Sequence, residues 1–248
     1  MQLNIFFNPA ELNYIEAPAN DIYIVIDAMR ATTTLAVMFE AGARRVLAAQ
    51  TLEQALEAAR KVPGRMLCGE RHMKTPAGFD YGNSPAQFAR LDLKERELIL
   101  TTSNGTRALF ACPEQSTRLA GSFYNAQAVT GYALDLAAQQ RSNIAIVCAA
   151  EYGYFALEDS TSAGYMALEL QRQYSGLHCP DNVQAAITLY ESYPPARLLE
   201  CAQSARDLKA GGQERDLDFC LHKNASTCVP AVTGTEEATG LLILEKMR

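Results

Sequence analysis

The segment IYIVIDAMRATTT, residues 22–34, decides the fold class of this chain, because it joins an apolar run to a charged turn and a hydroxyl-rich helix start. A short, continuous apolar run such as residues 22–26 is typical of a strand that is covered on both faces of a sheet. The following residues, 32–41, are predicted to form a helix. Strands that alternate with helices build α/β proteins, so we expect an α/β layer protein.

Apolar runs and amphipathic segments continue to alternate around this unit. The predicted strands are 3–7, 22–26, 45–49, 65–68, 97–101, 116–120 and 144–149. The predicted helices are 32–41, 52–61, 105–111, 126–140, 160–173, 181–191, 195–204 and 205–211. Thr51 forms a capping-box pattern with Gln54 at the second helix, and Asp159 is a candidate cap of the helix at 160–173. No low-complexity linker interrupts the pattern, so we expect residues 1–248 to form a single domain.

Two segments, 22–56 and 96–130, resemble each other without a gap. Thr101 lies 74 residues after Asp27, and Asn125 lies 74 residues after Thr51. An internal duplication would explain this similarity; since the identity is low, chance similarity between two βα units would explain it equally well. If the repeat is real, the turns 27–30 and 101–104 are equivalent and follow strand ends, where ligands bind in parallel α/β sheets.

The composition argues against several functional classes. A net charge of −6 without a basic block argues against binding of double-stranded nucleic acid, whose affinity depends on phosphate neutralisation. No apolar run reaches the ~18 residues of a membrane-spanning helix, and the N-terminal residues lack signal-peptide features. The seven cysteines include no CxxC pair and there are three histidines, which argues against disulfides and zinc sites. We therefore expect a cytoplasmic protein that binds neither nucleic acid nor membrane.

The turn after residues 22–26 combines a candidate metal ligand with a candidate anion site. Asp27 would lie at the sheet edge, and hard cations such as Mg²⁺ prefer carboxylate oxygens together with water and phosphate. Arg30 offers a planar donor fork that suits phosphate or sulfonate. Thr33 and its threonine neighbours would begin a helix, whose free N–H groups bind anions. The alternative is an Asp27–Arg30 ion pair beside a threonine-capped helix.

Two further turns carry polar side chains. The loop GERHMKTPAGFDYGNSP, residues 69–85, is either a functional loop or a solvated surface loop. Its candidate residues are Glu70, Arg71, Lys74, Asp80 and Asn83. The segment LILTTSNGTRALF, residues 98–110, resembles a phosphate cradle without being a Walker motif, and a plain Asn-Gly turn with threonine capping is the alternative. Its candidate residues are Thr101, Asn104, Gly105, Thr106 and Arg107.

The segment IAIVCAAEYGYFALEDSTSAG, residues 144–164, brings three acids to one strand end. Glu151 follows the strand, and Glu158 and Asp159 lie at a helix start. They are either part of a metal site or surface charges and caps, since acids are favourable in a first helical turn. Together, the four segments predict acids, arginines and hydroxyls along one sheet edge. This pattern suits metal-assisted handling of a small, doubly anionic phosphorylated substrate.

Six blocks of the sequence carry a family resemblance: IDAMRATTT, GERHMKTPAGFDYGNSP, TTSNGTRAL, AGSFYN, FALEDSTSAG and ARDLKAGGQERDLDFCLHKNASTCVP. They resemble the 2-phosphosulfolactate phosphatases from about residue 21 to 232. The resemblance implies a three-layer α/β/α domain with a mixed, mainly parallel sheet. It also implies a Mg²⁺-dependent phosphoric monoester hydrolase that converts 2-phosphosulfolactate, or a related phosphorylated hydroxy acid, to sulfolactate and phosphate, for coenzyme M biosynthesis or sulfonate metabolism. The chain departs from the family pattern at Ala150 and Ala156, where the family has Gly and Ser.

A mechanism follows as a hypothesis. The catalytic residues would be Asp27, Arg30 and Asp159. The Mg²⁺ ligands would come from Asp27, Glu70, Asp80, Glu158 and Asp159. The substrate-binding residues would be Thr33, Arg71, Lys74, Asn83, Thr101, Asn104, Gly105, Thr106, Arg107 and Asn125. Within this set, Arg30 and Arg107 would clamp the phosphoryl group, and Arg71 or Lys74 would hold the sulfonate.

Two mechanisms and two other functions are compatible with the same residues. Either a water molecule attacks phosphorus directly, or Asp27 attacks and forms an aspartyl-phosphate. A non-catalytic protein that binds a phosphorylated metabolite would keep the arginines and turns but would need no metal. A third function is that of an oligomeric scaffold, with AVMFEAG as an interface segment. A homodimer is compatible with each of these functions.

Overall fold

The computed structural model of the chain describes residues 1–247. Its strands are β1 (Leu3–Phe6), β2 (Ile22–Ile26), β3 (Arg45–Ala48), β4 (Met66–Gly69), β5 (Glu97–Thr101), β6 (Thr117–Gly121), β7 (Ile144–Cys148), β8 (Pro230–Thr235) and β9 (Leu242–Lys246). Its α-helices are α1 (Ala31–Glu40), α2 (Leu52–Lys61), α3 (Pro85–Phe88), α4 (Gly105–Ala111), α5 (Ala126–Gln140), α6 (Leu157–Gln173), α7 (Asp181–Ser192), α8 (Pro195–Cys201), α9 (Gln203–Ala210) and α10 (Asp216–Cys220). Two short 3-10 helices are Pro9–Tyr14 and Phe123–Asn125.

The sequence-based element assignments agree well with this structure. All seven predicted strands and all eight predicted helices are present, with ends that differ by up to three residues. The predicted cap of α2 is formed, since Gln54 donates its backbone N–H to Thr51 Oγ1 at 3.1 Å. The sequence analysis missed the short helices α3 and α10 and the strands β8 and β9. All seven cysteines are free thiols, as expected.

One nine-stranded sheet runs in the order β1-β7-β2-β6-β8-β9-β3-β5-β4. Five of its eight strand pairs are parallel, and the three pairs that involve β8 or β9 are antiparallel. The protein therefore has the three-layer α/β architecture with a mixed, mainly parallel sheet that the family resemblance implies. The C-terminal hairpin β8–β9 joins two parallel halves, β1-β7-β2-β6 and β3-β5-β4.

The two halves run in opposite directions, because three successive antiparallel pairings separate β6 from β3. A single shared edge for the ends of β2 and β5 was therefore the wrong expectation. In a flat sheet these strands would lie roughly 24 Å apart, at about 4.8 Å per strand. Yet Gly105, just after β5, packs against Asp27, just after β2. Twist of about 20–25° per strand turns one half by more than a right angle against the other, so their ends can converge.

Helix α1 lies within this curved sheet and is buried along its length from Ala31 to Phe39. Its apolar side chains pack in one core with Val25 of β2 and with Val46 and Leu98 of the other half. A second core lies on the opposite face, where Ile24 packs with α5 and α6. Burial on both faces explains the continuous apolar run of β2.

The two similar segments have reciprocal pairing in the sheet: β2 pairs with β6, and β3 pairs with β5. Each segment has the order strand, helix, strand, helix. This pairing of one segment's strands with those of the other is compatible with an internal duplication, which stays a prediction.

Among residues 1–247, no helix combines the length and apolar character that a bilayer crossing requires.

Candidate active site

A narrow cavity of about 50 Å³ lies where the loops after β2, β4, β5 and β7 meet. Seven of the sequence-predicted residues line it: Asp27, Arg30, Glu70, Asn83, Asn104, Glu158 and Asp159. We call this space the acidic cavity, because five carboxylates, including Glu151, surround one guanidinium. A larger cavity of about 720 Å³ lies between α5 and the N-terminus, near Met1 and Arg141, and contains none of the predicted residues.

Asp27 is held at the start of α1 and beside the start of α4. Its Oδ1 accepts the backbone N–H of Ala31 at 3.2 Å. Burial, together with the charges of Glu70 and Glu158, raises the pKa of Asp27 to about 6, although backbone hydrogen bonds from Ala31 and Gly105 oppose the shift. A carboxyl group with this pKa is mostly ionised at neutral pH and still exchanges protons readily, as a catalytic base requires.

Asp159 ties the β2–α1 turn to the β7–α6 loop. Its two carboxylate oxygens accept the backbone N–H groups of Ala28 at 2.8 Å and of Ala150 at 3.2 Å. Burial and the nearby charges of Asp27 and Glu158 raise its pKa well above the ordinary value. The expectation that Asp159 caps α6 was wrong, because the helix begins after Ala156 and Asp159 lies in its first turn.

Two other buried acids have local hydrogen-bond partners. Glu158 accepts a short hydrogen bond from the Ser204 hydroxyl of α9, and burial raises its pKa despite that bond. Glu70 accepts the backbone N–H groups of Ser103 at 2.7 Å and of Met73 at 3.0 Å. These contacts connect both halves of the sheet and the C-terminal helices to one cavity.

Arg30 makes a buried ion pair with Asp216 of α10. Its Nη1 lies 2.8 Å from Asp216 Oδ2 and 2.7 Å from Gln213 Oε1, and the side chain is 3% exposed. Asp216 also accepts the Ser84 hydroxyl at 2.5 Å. The alternative of an Asp27–Arg30 ion pair is therefore not what the structure contains. Asp216 offsets the charge of Arg30 before any ligand binds.

Four predicted substrate-binding residues are buried structural groups that do not line the cavity. The Thr33 hydroxyl donates to Ala28 O at 3.0 Å, and Thr106 exchanges hydrogen bonds with Thr102. Asn125 is fully buried and donates to Ala120 O and Cys228 O. Thr101 accepts a hydrogen bond from Arg71 at 2.9 Å. Each of these side chains is used in local structure, so nothing in the positions of Thr33, Thr106, Asn125 and Thr101 supports their expected role in substrate binding, which stays a prediction.

Charged residues of the predicted set also lie outside the acidic cavity. Asp80 is exposed, accepts the Leu67 N–H at 2.8 Å and does not line the acidic cavity, so its expected role as a metal ligand has no support from its position and stays a prediction. Lys74 is exposed, and its backbone pairs with that of Arg71 in a small antiparallel turn. The Arg71 guanidinium donates to Glu70 O and to Thr101. Arg107 is exposed beside a neighbouring cavity.

Several lining residues were absent from the predicted set. Ser103 and Glu151 lie within the quoted segments, but neither was chosen as a site residue. Tyr152 and Ser204 join them; Tyr152 stacks on His72 with ring centroids 5.6 Å apart. The aromatic cluster EYGYF signals an exposed loop beside the acids, whereas nothing in the sequence around Ser204 distinguishes it. Ala150 adopts a left-handed φ of 62°, which explains why Gly suits this position.

The donor set of the acidic cavity fits a hard divalent cation. Carboxylate oxygens dominate, and Asn83 Oδ1 is buried without a hydrogen-bond partner. Across residues 1–247, no three His, Cys, Asp or Glu side chains form a metal cluster on their own. Mg²⁺ usually binds one or two carboxylates together with waters and substrate phosphates. The acidic cavity therefore suits a Mg²⁺ ion that is also coordinated by water and substrate, rather than one held by protein ligands alone.

Comparison with known proteins gives a consistent result. A family model described as 2-phosphosulpholactate phosphatase matches residues 8–235. The chain is 33% identical to a probable 2-phosphosulfolactate phosphatase of Thermotoga maritima, over 90% of this chain and 92% of the relative. It is 31% identical over its whole length to a protein of that name from Carboxydothermus hydrogenoformans, of which it covers 99%. It is 35% identical to another from Synechococcus sp. strain CC9605, over 93% of this chain and 96% of the relative.

Proposed function

This chain belongs to the 2-phosphosulfolactate phosphatase family, and we propose that it is a Mg²⁺-dependent phosphatase that hydrolyses 2-phosphosulfolactate to sulfolactate and phosphate. One observation carries the Mg²⁺ requirement: the acidic cavity holds five carboxylates and one guanidinium that Asp216 already neutralises. A phosphate dianion would be repelled from such a cavity, because like charges in a poorly solvated site interact strongly. A divalent cation removes that repulsion.

Asp27, Glu158 and Asn83 Oδ1 would hold the cation, while hydrogen bonds from backbone amides keep Asp159 and Glu70 in place. When bound, Mg²⁺ supplies Lewis-acid stabilisation of charge on the phosphoryl oxygens. The backbone N–H groups of Met29 and Arg30 make no hydrogen bond within residues 1–247 and lie at the start of the ten-residue helix α1. They would donate to a phosphoryl oxygen, as N–H groups at helix starts do.

Asp27 has two compatible roles in the chemical step. It would accept a proton from the attacking water, or its carboxylate would attack phosphorus itself. Trapping with beryllium fluoride distinguishes these roles, since it mimics an aspartyl-phosphate. A ¹⁹F signal and a mass adduct that disappear in Asp27→Asn would support the covalent route, and an unlabelled Asp27 would support attack by water.

The proposal is tested by phosphate release from 2-phosphosulfolactate and a panel of phosphorylated hydroxy acids, with Mg²⁺ or with EDTA. We expect release with Mg²⁺ only. Asp27→Asn should reduce kcat at least about 100-fold, because it removes the carboxylate charge and the base. Asp181→Asn is the matched control, since Asp181 is exposed on α7 and distant from the acidic cavity.

Two results would contradict this function. If no phosphoester on the panel is hydrolysed while a phosphorylated metabolite binds with and without Mg²⁺, the protein is a binding protein. If Asp27→Asn retains the full activity, Asp27 does not belong to the catalytic machinery. A cytoplasmic location and supply of sulfolactate for coenzyme M biosynthesis are further parts of the proposal, supported by the family membership.

A further inference from the structure

A second cavity, of about 300 Å³, adjoins the acidic cavity, and we call it the arginine cavity because Arg107 lines it. Ser103, Asn104 and Tyr152 line both spaces. Asn104 accepts the backbone N–H of Tyr152 at 3.1 Å, so this pair forms the boundary between the cavities. Asn8 holds the same loop from the other side, through a 2.6 Å hydrogen bond to Gly153 O.

The acidic cavity is much the smaller of the two spaces. Its volume is about 50 Å³, whereas that of the arginine cavity is about 300 Å³. If the acidic cavity holds the cation and the phosphoryl group, the arginine cavity offers space beside Asn104 for the remainder of the substrate.

Arg107 is the cationic group that lines this adjoining cavity. It lies three residues after Asn104, the N-cap residue of α4, and both residues line the arginine cavity. Its guanidinium is exposed and makes no ion pair or hydrogen bond with another of residues 1–247. Guanidinium groups bind tetrahedral and planar anions through two donors at once.

The other cations near the site are less suitable. The Arg71 guanidinium is already used by Glu70 O and Thr101 Oγ1. Lys74 lines neither cavity, and Arg30 is paired with Asp216. A substrate that extends from the acidic cavity past Asn104 would therefore place its anionic group against Arg107.

We propose that Arg107 in the arginine cavity binds the sulfonate of the substrate and makes the enzyme specific for phosphate esters with this second acid group. This inference rests on the proposed function. It replaces two expectations: that Arg71 or Lys74 holds the sulfonate, and that Arg107 clamps the phosphoryl group. The sulfonate is bulkier than the carboxylate and lies one carbon farther from the phosphorylated carbon, so it is the acid group that reaches the roomier cavity.

The test compares 2-phosphosulfolactate with 2-phospholactate, which has the same carboxylate and phosphate but lacks the sulfonate. In Arg107→Gln, we expect the KM for 2-phosphosulfolactate to rise on the order of tenfold or more, as for loss of a charge-assisted hydrogen bond. The kcat/KM for 2-phospholactate should fall much less, so the preference of the enzyme for the sulfonate disappears. Arg107→Lys should restore part of it.

Arg96→Gln is the matched control, because it removes an exposed arginine at the opposite end of β5 and should leave the preference unchanged. Equal losses on both substrates in Arg107→Gln would overturn the inference. So would a selective loss in Lys74→Gln with none in Arg107→Gln.

Failure of the proposed function gives a different result. If the wild-type protein releases phosphate from neither ester, calorimetric titration with sulfolactate decides the role of Arg107. Binding that weakens in Arg107→Gln but not in Arg96→Gln supports it, and equal or absent binding overturns it.

Discussion

Gly105 touches Asp27 at a distance that no side chain allows. A Cβ at position 105 would lie 2.5 Å from Asp27 Oδ2 and 2.6 Å from Ala31 Cβ. Gly105→Ala should therefore push α4 away from Asp27, destabilise the fold by about 1–3 kcal/mol and lower kcat/KM on the order of tenfold or more. Phosphate release and urea unfolding measure both effects.

The control for Gly105→Ala is Gly234→Ala, where a Cβ would have no neighbour within 4 Å. Its activity and stability should match those of the wild-type protein. An unchanged kcat/KM in Gly105→Ala would show that contact between α4 and Asp27 is not needed for catalysis.

The sequence predicted the acids of the site better than its hydroxyl and amide residues. An acid directly after a buried strand or in a charged turn is unusual enough to indicate function, and Asp27, Glu70, Glu158 and Asp159 all line the cavity. Threonine and asparagine are also the usual residues of turns and helix starts. Sequence alone could not separate Asn104, which lines the cavity, from Asn125, which stabilises a turn.

At the scale of elements, the Arg30–Asp216 ion pair fixes α10 to the start of α1. Both side chains are almost fully buried, so Asp216→Ala would leave Arg30 in the interior without its hydrogen-bonded ion-pair partner. We expect a loss of about 3–5 kcal/mol in the free energy of unfolding, measured by urea denaturation. Activity should fall as well, because Arg30 lines the acidic cavity.

The comparison for Asp216→Ala is Glu57→Ala, which breaks the exposed Glu57–Lys61 pair of α2. That change should have little effect on the free energy of unfolding, since solvent screens exposed pairs. Similar small losses in both variants would mean that the interior near Arg30 admits water.

Elements with a strong apolar pattern could be predicted from the sequence. Elements that depend on contacts with other parts of the chain could not. The buried strands β2 and β7 are continuous apolar runs. In contrast, strand β8 begins at a proline and has exposed residues. Helix α10 has only five residues and is attached to Arg30 through Asp216. The opposite directions of the two half-sheets follow from β8 and β9, so the convergence of β2 and β5 could not be derived correctly without them.

At the scale of the whole molecule, we expect the crowded acids to make stability depend on pH and on the proposed Mg²⁺. The pKa of Asp27 is raised from 3.8 to about 6, so the folded protein binds more protons than the unfolded chain between these values. Stability therefore falls as the pH rises through this range. In EDTA, we expect the free energy of unfolding to be about 1–2 kcal/mol lower at pH 7.5 than at pH 5.

Added Mg²⁺ should restore stability at pH 7.5 and have little effect at pH 5, and Asp27→Asn should weaken both effects. Glu236, whose pKa is lowered to about 2 by Arg65, acts in the opposite direction but only as the pH falls below about 4.5. A stability that rises steadily from pH 5 to 7.5 in EDTA would contradict this account.

The position of the β8–β9 hairpin between the two half-sheets has a consequence for biosynthesis. These strands leave the ribosome after every other strand of the sheet, although they occupy its middle. Until they arrive, the nascent polypeptide presents β6 and β3 as two unpaired edges that can recruit strands from other chains. Translation that stops before Pro230 would therefore release two open half-sheets, which makes such fragments natural clients of chaperones and proteases.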